Sequence, residues 1–134
     1  MYELGQKMDS QKAKNLNPVV LAFVGDAVFS LFVREKLTFN SDLKANQLNK
    51  LATAEVKATA QAELLMAVLP LFNDEELAIF KRARNAKKNT KAKHATVAEY
   101  NASTGLEAVV GYLHLIGDNE RLNFLLNKGI KDED

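Results

Sequence analysis

The chain has 134 residues, no cysteine, and 18 Lys and Arg against 17 Asp and Glu, for a formal net charge of +1. That length suits one domain able to bury roughly two thirds of its unfolded surface, and the lack of cysteine excludes structural disulfides and thiolate metal sites. Met1 to Lys14 is polar with no apolar signal core, and no apolar run reaches the roughly 20 residues of a membrane span, so a soluble, cytoplasmic protein without membrane association is expected.

The pattern along the chain is helical. A first helix is expected from Pro18, with Asn17 as its N-cap and proline at the favoured first position. Apolar residues then run densely to about Val33, which predicts a helix central to the fold. Thr38 to Ser41 reads as a break. From about Asp42 to Leu69 the chain is rich in Ala, Leu, Gln, Lys and Glu, all strong helix formers; Thr53 can cap a second segment there, and Pro70 ends it. Asn73-Asp74-Glu75-Glu76 has the form of a capping box and should open a helix through Leu77, Phe80 and Ala83. A basic segment follows its end and continues as a loop through Asn89 and Thr90. Thr96-Val97-Ala98-Glu99 is a second capping box, opening a second central helix that carries Glu107 and stops near Gly117. Asn119 can cap a last short helix holding Leu122, Leu125 and Leu126 and ended by Gly129; Lys131 to Asp134 should fray. No β-alternation, repeat or linker interrupts this order. The expectation is an all-α fold, a single domain over residues 1–134 with its motif core at about 17–126.

Two carboxylates stand out against their surroundings. Asp26 lies in Leu21-Ala22-Phe23-Val24-Gly25-Asp26-Ala27-Val28-Phe29, sharing a helical face with Ala22, Phe23, Phe29, Ser30 and Val33. Glu107 lies in Thr104-Gly105-Leu106-Glu107-Ala108-Val109-Val110-Gly111-Tyr112, on a face with Thr104, Val110, Gly111 and His114. A charge on an apolar face is costly unless something pairs with it, and the sequence sets no Lys or Arg next to either acid. A hard divalent cation would satisfy both. The ordinary alternatives are a backbone amide or helix N-terminus for Asp26 and an ion pair with a distant Lys or Arg for Glu107. Gly25, Gly105 and Gly111 flank the acids. Each costs about 0.5–1 kcal/mol inside a helix, so something large, a packed helix or a phosphate chain, should approach the backbone there. His114 and the tyrosines Tyr100 and Tyr112 are read as packed residues rather than catalytic or base-stacking ones.

Charge is unevenly spread. Between Lys81 and His94 lie Lys81, Arg82, Arg84, Lys87, Lys88, Lys91 and Lys93, seven of the 18 basic residues, with no acid. Elsewhere 11 basic residues face 17 acidic ones. A positive segment on an acidic body suits a polyanion, although a solvated loop would look the same.

The two acid-bearing segments resemble the ribonuclease III family: the apolar run ending in Gly25-Asp26-Ala27, and Leu106-Glu107-Ala108 followed by an apolar helix, with Lys81-Arg82-Ala83-Arg84-Asn85-Ala86-Lys87 between them. The resemblance is closest to the short Mini-III branch, which has the catalytic domain without a double-stranded-RNA-binding domain. It implies a helical homodimer that cuts double-stranded RNA with Mg2+, with Mn2+ as a substitute ion, and matures the large-subunit (23S) ribosomal RNA precursor. Asp26 and Glu107 match the catalytic and metal-binding acids. Lys81, Arg82, Arg84, Asn85, Lys87 and Lys88 would contact RNA, whose duplex is recognised through backbone and shape. The longer enzymes carry two further carboxylates where this chain has Ala22 and Thr104. Thr104 can still hold a water as an outer group; Ala22 cannot. Magnesium commonly takes only one or two protein carboxylates, so the reduced set suffices for one ion, and hydrolysis leaving a 5′-phosphate and a 3′-hydroxyl is expected. With no auxiliary RNA-binding domain, selectivity would come from RNA shape or from a ribosomal protein presenting the RNA. The rival expectations are a catalytically weak RNA-binding or assembly relative and a helical protein-interaction domain.

Overall fold

The computed structural model describes residues 1–40, 42–88 and 96–129. Within them the chain forms α1 (Ser10–Lys14), α2 (Pro18–Asn40), α3 (Ala45–Leu51), α4 (Ala54–Val68), α5 (Asp74–Asn85), α6 (Val97–Leu115) and α7 (Asn119–Leu126), with 3₁₀ turns at Leu69–Leu71 and Asn127–Gly129. No strand occurs among the described residues, as the helical pattern predicts.

Local chemistry accounts for most helix starts. The Val19 N–H donates to Asn17 Oδ1 at 2.9 Å, so Asn17 caps α2 ahead of Pro18. Both capping boxes form. The Glu76 N–H donates to Asn73 Oδ1 at 2.8 Å and the Asn73 N–H returns to Glu76 Oε1 at 3.0 Å. Thr96 and Glu99 make the same reciprocal pair at the start of α6. Thr53 caps α4 as expected, its hydroxyl accepting from the Val56 N–H.

Four expectations need correction. α2 continues to Asn40 through the expected break; inside it the Thr38 hydroxyl donates to the Arg34 carbonyl at 2.8 Å, which satisfies it within the helix. The cap of α7 is Asp118, whose carboxylate accepts from the Arg121 N–H, and Asn119 is the first helical residue. The polar start contains a short helix, α1, capped by Asp9, with Ala13 fully buried. The basic segment is not wholly a loop beyond α5, since Lys81, Arg82 and Arg84 belong to the last turns of that helix. Ser41, Asn89, Thr90, Lys91, Lys93, His94 and the tail Lys131–Asp134 lie outside the described residues.

α6 is the axis of the core. Leu106, Ala108, Val109, Val110, Tyr112 and Leu113 are all buried, and α2, α5, α4 and α7 pack around them. Leu21, Ala22 and Phe29 bury one side of α2. Its other side stays open, with Val20 46%, Phe23 79% and Leu31 54% exposed, so α2 is central by contact but not enclosed. Leu122, Leu125 and Leu126 of α7 complete the core. Glu76 is also buried, paired with Arg121 through Nη2 at 2.7 Å and Nε at 2.9 Å. Gly117 takes a positive φ of 74° just beyond α6, the left-handed geometry that ends a helix. Among the described residues no helix is long and apolar enough to cross a membrane.

Candidate active site

The site is created where α2 crosses α6. Gly25 lies against the Glu107 carbonyl, and Gly111 lies against the Leu21 carbonyl, so that a Cβ at either glycine would overlap those backbone oxygens. The two glycines let the backbones meet at reciprocal points, which is the packed-helix explanation for their presence. Gly105 serves a different seam, since a Cβ there would meet the Phe80 ring of α5 at 2.6 Å. Because Asp26 follows Gly25, and Glu107 supplies the carbonyl that Gly25 meets, the same crossing brings the two carboxylates to one place.

A third element completes the arrangement. Lys57, one turn into α4, forms an ion pair with Asp26 Oδ1, and its Nζ lies 3.6 Å from Glu107 Oε2. Gln61, four residues on, donates from Nε2 to Glu107 Oε2 at 3.1 Å. Lys57 and Gln61 thus present one face of α4 to the acids. The reading that the acids lack a basic partner holds for their sequence neighbours but fails in three dimensions. Glu107 has the distant lysine that was its ordinary alternative, and that lysine also serves Asp26.

The environments of the two acids differ. The Glu107 side chain is 15% exposed and that of Asp26 50%. Burial pushes the Glu107 carboxyl up from its ordinary range, opposed by the Gln61 amide and the Lys57 ammonium. Although half of Asp26 faces solvent, its Oδ1 atom is enclosed against the Lys57 ammonium, its ion-pair partner. Two hard oxygen donors side by side, reached by one ammonium, are a donor set that fits a hard divalent ion. No cluster of three or more His, Cys, Asp or Glu side chains able to hold a metal occurs among the described residues, so the protein's share would be Asp26 and Glu107. Ala22 is buried in the core. The Thr104 hydroxyl donates to the Tyr100 carbonyl at 2.9 Å, leaving it only acceptor capacity for a water. Tyr112 is a core residue, its hydroxyl donating to Glu75.

The described basic residues separate into two groups. Arg82 donates to the Lys14 carbonyl at 3.0 Å and the Leu16 carbonyl at 3.3 Å, tying α5 to the α1–α2 junction. Lys88 donates to the Arg84 and Ala86 carbonyls and so closes the end of α5; burial pushes its ammonium down. Arg84 lies over the Phe80 ring at 5.6 Å and donates to Asn85 Oδ1. Lys81 and Lys87 are exposed at the surface.

Lys57 and Gln61 are the residues that sequence reasoning missed. A weak signal existed: they are polar residues at i and i+4 in the alanine-rich Val56-Lys57-Ala58-Thr59-Ala60-Gln61, on one helical face.

Comparison with known proteins places this fold in a family. The Ribonuclease III domain family matches residues 19–118. A Mini-ribonuclease 3 of Clostridium tetani is 41% identical over 126 residues, covering 93% of this chain and 83% of the relative. The Mini-ribonuclease 3 of Enterococcus faecalis is 44% identical over 120 residues, covering 88% and 91%. That of Staphylococcus aureus is 43% identical over 126 residues, covering 90% and 94%. A crystal structure of a protein from Fusobacterium nucleatum superposes with a TM-score of 0.72 at 30% identity, over 84% of this chain and 90% of that one. The chain belongs to the ribonuclease III family, in its Mini-ribonuclease 3 branch, and is an endoribonuclease.

Proposed function

We propose that the protein cleaves double-stranded RNA with Mg2+, and that its natural substrate is the precursor of the large-subunit (23S) ribosomal RNA. The observation that carries this reading is the meeting of Asp26 and Glu107 at the α2–α6 crossing, where one ammonium, that of Lys57, reaches both carboxylates. In the reading, Asp26 and Glu107 hold the ion. When bound, it supplies a water of lowered pKa and a counter-charge for the scissile phosphate and the leaving oxygen. Gln61 fixes the rotamer of Glu107 through Oε2, so that its other oxygen is presented in a set direction. Asp26 is aimed by the rigid packing of Gly25 on α6. Cleavage breaks the bond from phosphorus to the 3′-oxygen and leaves a 5′-phosphate and a 3′-hydroxyl.

RNA contact falls first to Lys81 and Lys87, with Arg84 and Asn85 beside them, because Arg82 and Lys88 already bond backbone carbonyls. Thr104 enters as an acceptor for a water at most. The whole chain acts as one catalytic domain.

A homodimer fits the α2 surface. Val20, Phe23, Ala27 and Leu31 form one exposed stripe at helical spacing, an apolar patch of the kind that marks an interface. A two-fold dimer would set one site on each strand of a duplex. Phe23→Asp should then yield a monomer by light scattering. The cytoplasm is where such a substrate would be met, and a ribosomal protein presenting the RNA would supply selectivity that so few cations cannot.

The test is cleavage of end-labelled duplex, single-stranded RNA and ribosomal precursor in Mg2+ or EDTA, with the product ends mapped. Duplex-specific, metal-dependent cutting with 5′-phosphate ends is expected. Duplex binding without cutting would favour the assembly-module alternative.

A further inference from the structure

We infer that Lys57 is a resident counter-ion of the carboxylate pair, which a divalent ion must displace in order to bind, so that this residue sets the metal affinity of the free protein. The inference rests on the reading of Asp26 and Glu107 as the metal-holding pair and goes beyond it by assigning a role to a residue of α4.

The geometry carries the argument. Lys57 Nζ meets Asp26 Oδ1, an oxygen that an ion would use, and lies 3.6 Å from Glu107 Oε2, on the same carboxylate whose other oxygen Gln61 leaves free. An ammonium and a divalent ion in contact with the same Asp26 oxygen would sit a few ångströms apart and repel each other, so ion binding favours departure of the ammonium. One ammonium against two carboxylates leaves a net negative site. The pair is thus held together when no ion is present, yet still attracts a divalent cation more than a monovalent one. Without Lys57, two anions would be held together by the α2–α6 crossing with only the Gln61 amide, bonded to Glu107, to offset their repulsion.

The side chain also has somewhere to go. The Lys57 stem borders a small open cleft of about 40 Å³ that has charged Arg34 at its edge and is lined by the apolar side chains of Phe29, Val33, Leu51, Ala52 and Val56. The flexible four-carbon stem can lie along those apolar groups while its head turns to solvent. Gln61 needs no such movement, since its amide bonds one Glu107 oxygen and leaves the other.

The experiment is Mn2+ titration of the RNA-free protein, followed by electron paramagnetic resonance, with Mg2+ calorimetry beside it. It compares wild type, Lys57→Met, Lys57→Arg and Asp26→Asn, each checked for helical content; Lys57→Gln replaces the methionine variant if that does not fold. Lys57→Met should bind Mn2+ about tenfold more tightly than wild type, because ion binding then no longer has to break the ion pair between Lys57 and Asp26. Its melting temperature should also rise more on metal addition, while Lys57→Arg stays near wild type. Unchanged or weaker binding in Lys57→Met, with binding still lost in Asp26→Asn, would overturn the role of Lys57 and leave the metal site standing. Full binding by Asp26→Asn would overturn both.

Discussion

Replacing Gly25 by Ala is the sharpest probe of how the fold builds the site. Alanine improves helix propensity by about 0.5–1 kcal/mol, so an isolated α2 would be strengthened. In the protein the new Cβ would overlap the Glu107 carbonyl and come within 2.8 Å of the Gly111 backbone nitrogen. Those obstacles are backbone of the helix at the axis of the core, which cannot step aside as a side chain can. Overpacking of this kind costs about 1–3 kcal/mol, and the rigidity of the obstacle argues for the upper part of that range. The net expectation is a loss of about 2 kcal/mol, or a fall of about 8 °C in melting temperature for a domain of this size. Relief requires α2 to move off α6, which carries Asp26 away from Glu107. A displacement near 1 Å at a reacting centre costs about 100-fold in rate. Urea unfolding followed by circular dichroism, with RNA cleavage at a temperature well below the melting point, measures both effects. Gly105→Ala is the comparison. It meets the Phe80 ring at the α5–α6 seam, so it should lose stability while keeping most activity. A Gly25→Ala protein with wild-type stability and rate would refute the claim that this crossing sets the carboxylate pair.

Other consequences follow from particular contacts. Arg121→Leu leaves the buried Glu76 carboxylate with only its capping bond to Asn73, and should cost about 3 kcal/mol in urea unfolding, toward the low end for a broken buried pair because Arg121 is partly exposed. The hydrogen bond from Tyr112 holds the Glu75 carboxyl below its ordinary range, helped by Lys14 against the effect of burial. A depressed carboxyl contributes stability above its unfolded value and loses it as pH falls through the folded value, so Tyr112→Phe should flatten the acid side of the stability profile below the ordinary glutamate range. Lys81→Gln with Lys87→Gln should lower the slope of log affinity against log salt by about two and leave melting temperature unchanged. Arg82→Gln should instead lower the melting temperature, because Arg82 holds the Lys14 and Leu16 carbonyls.

The helices were legible wherever a local rule decides. The Asn73–Glu76 and Thr96–Glu99 boxes, Thr53 before α4, Asn17 before Pro18 and Gly117 after α6 are self-contained signals within a few residues, and each is where the local chemistry requires it. The near misses are also local. Asp118 and Asn119 are both good caps, and only the backbone turn decides between them. Thr38 reads as a breaker unless its hydroxyl bonds back within the helix, as it does. The site was legible in its acids and glycines, because a charge on a greasy face and a glycine inside a helix are both costs that need a reason. Lys57 and Arg82 were not legible. Each is an ordinary basic residue in sequence, and its role depends on which surface α4 or α5 meets across the core.

The central claim is that Asp26 and Glu107 act as one metal-holding pair in RNA cleavage. The most direct measurement is Mg2+-dependent cleavage of an end-labelled duplex by wild type, Asp26→Asn and Glu107→Gln, with duplex binding measured in parallel. The account predicts that both substitutions abolish cutting while RNA binding persists through the basic end of α5. Wild-type cleavage by either variant would contradict it.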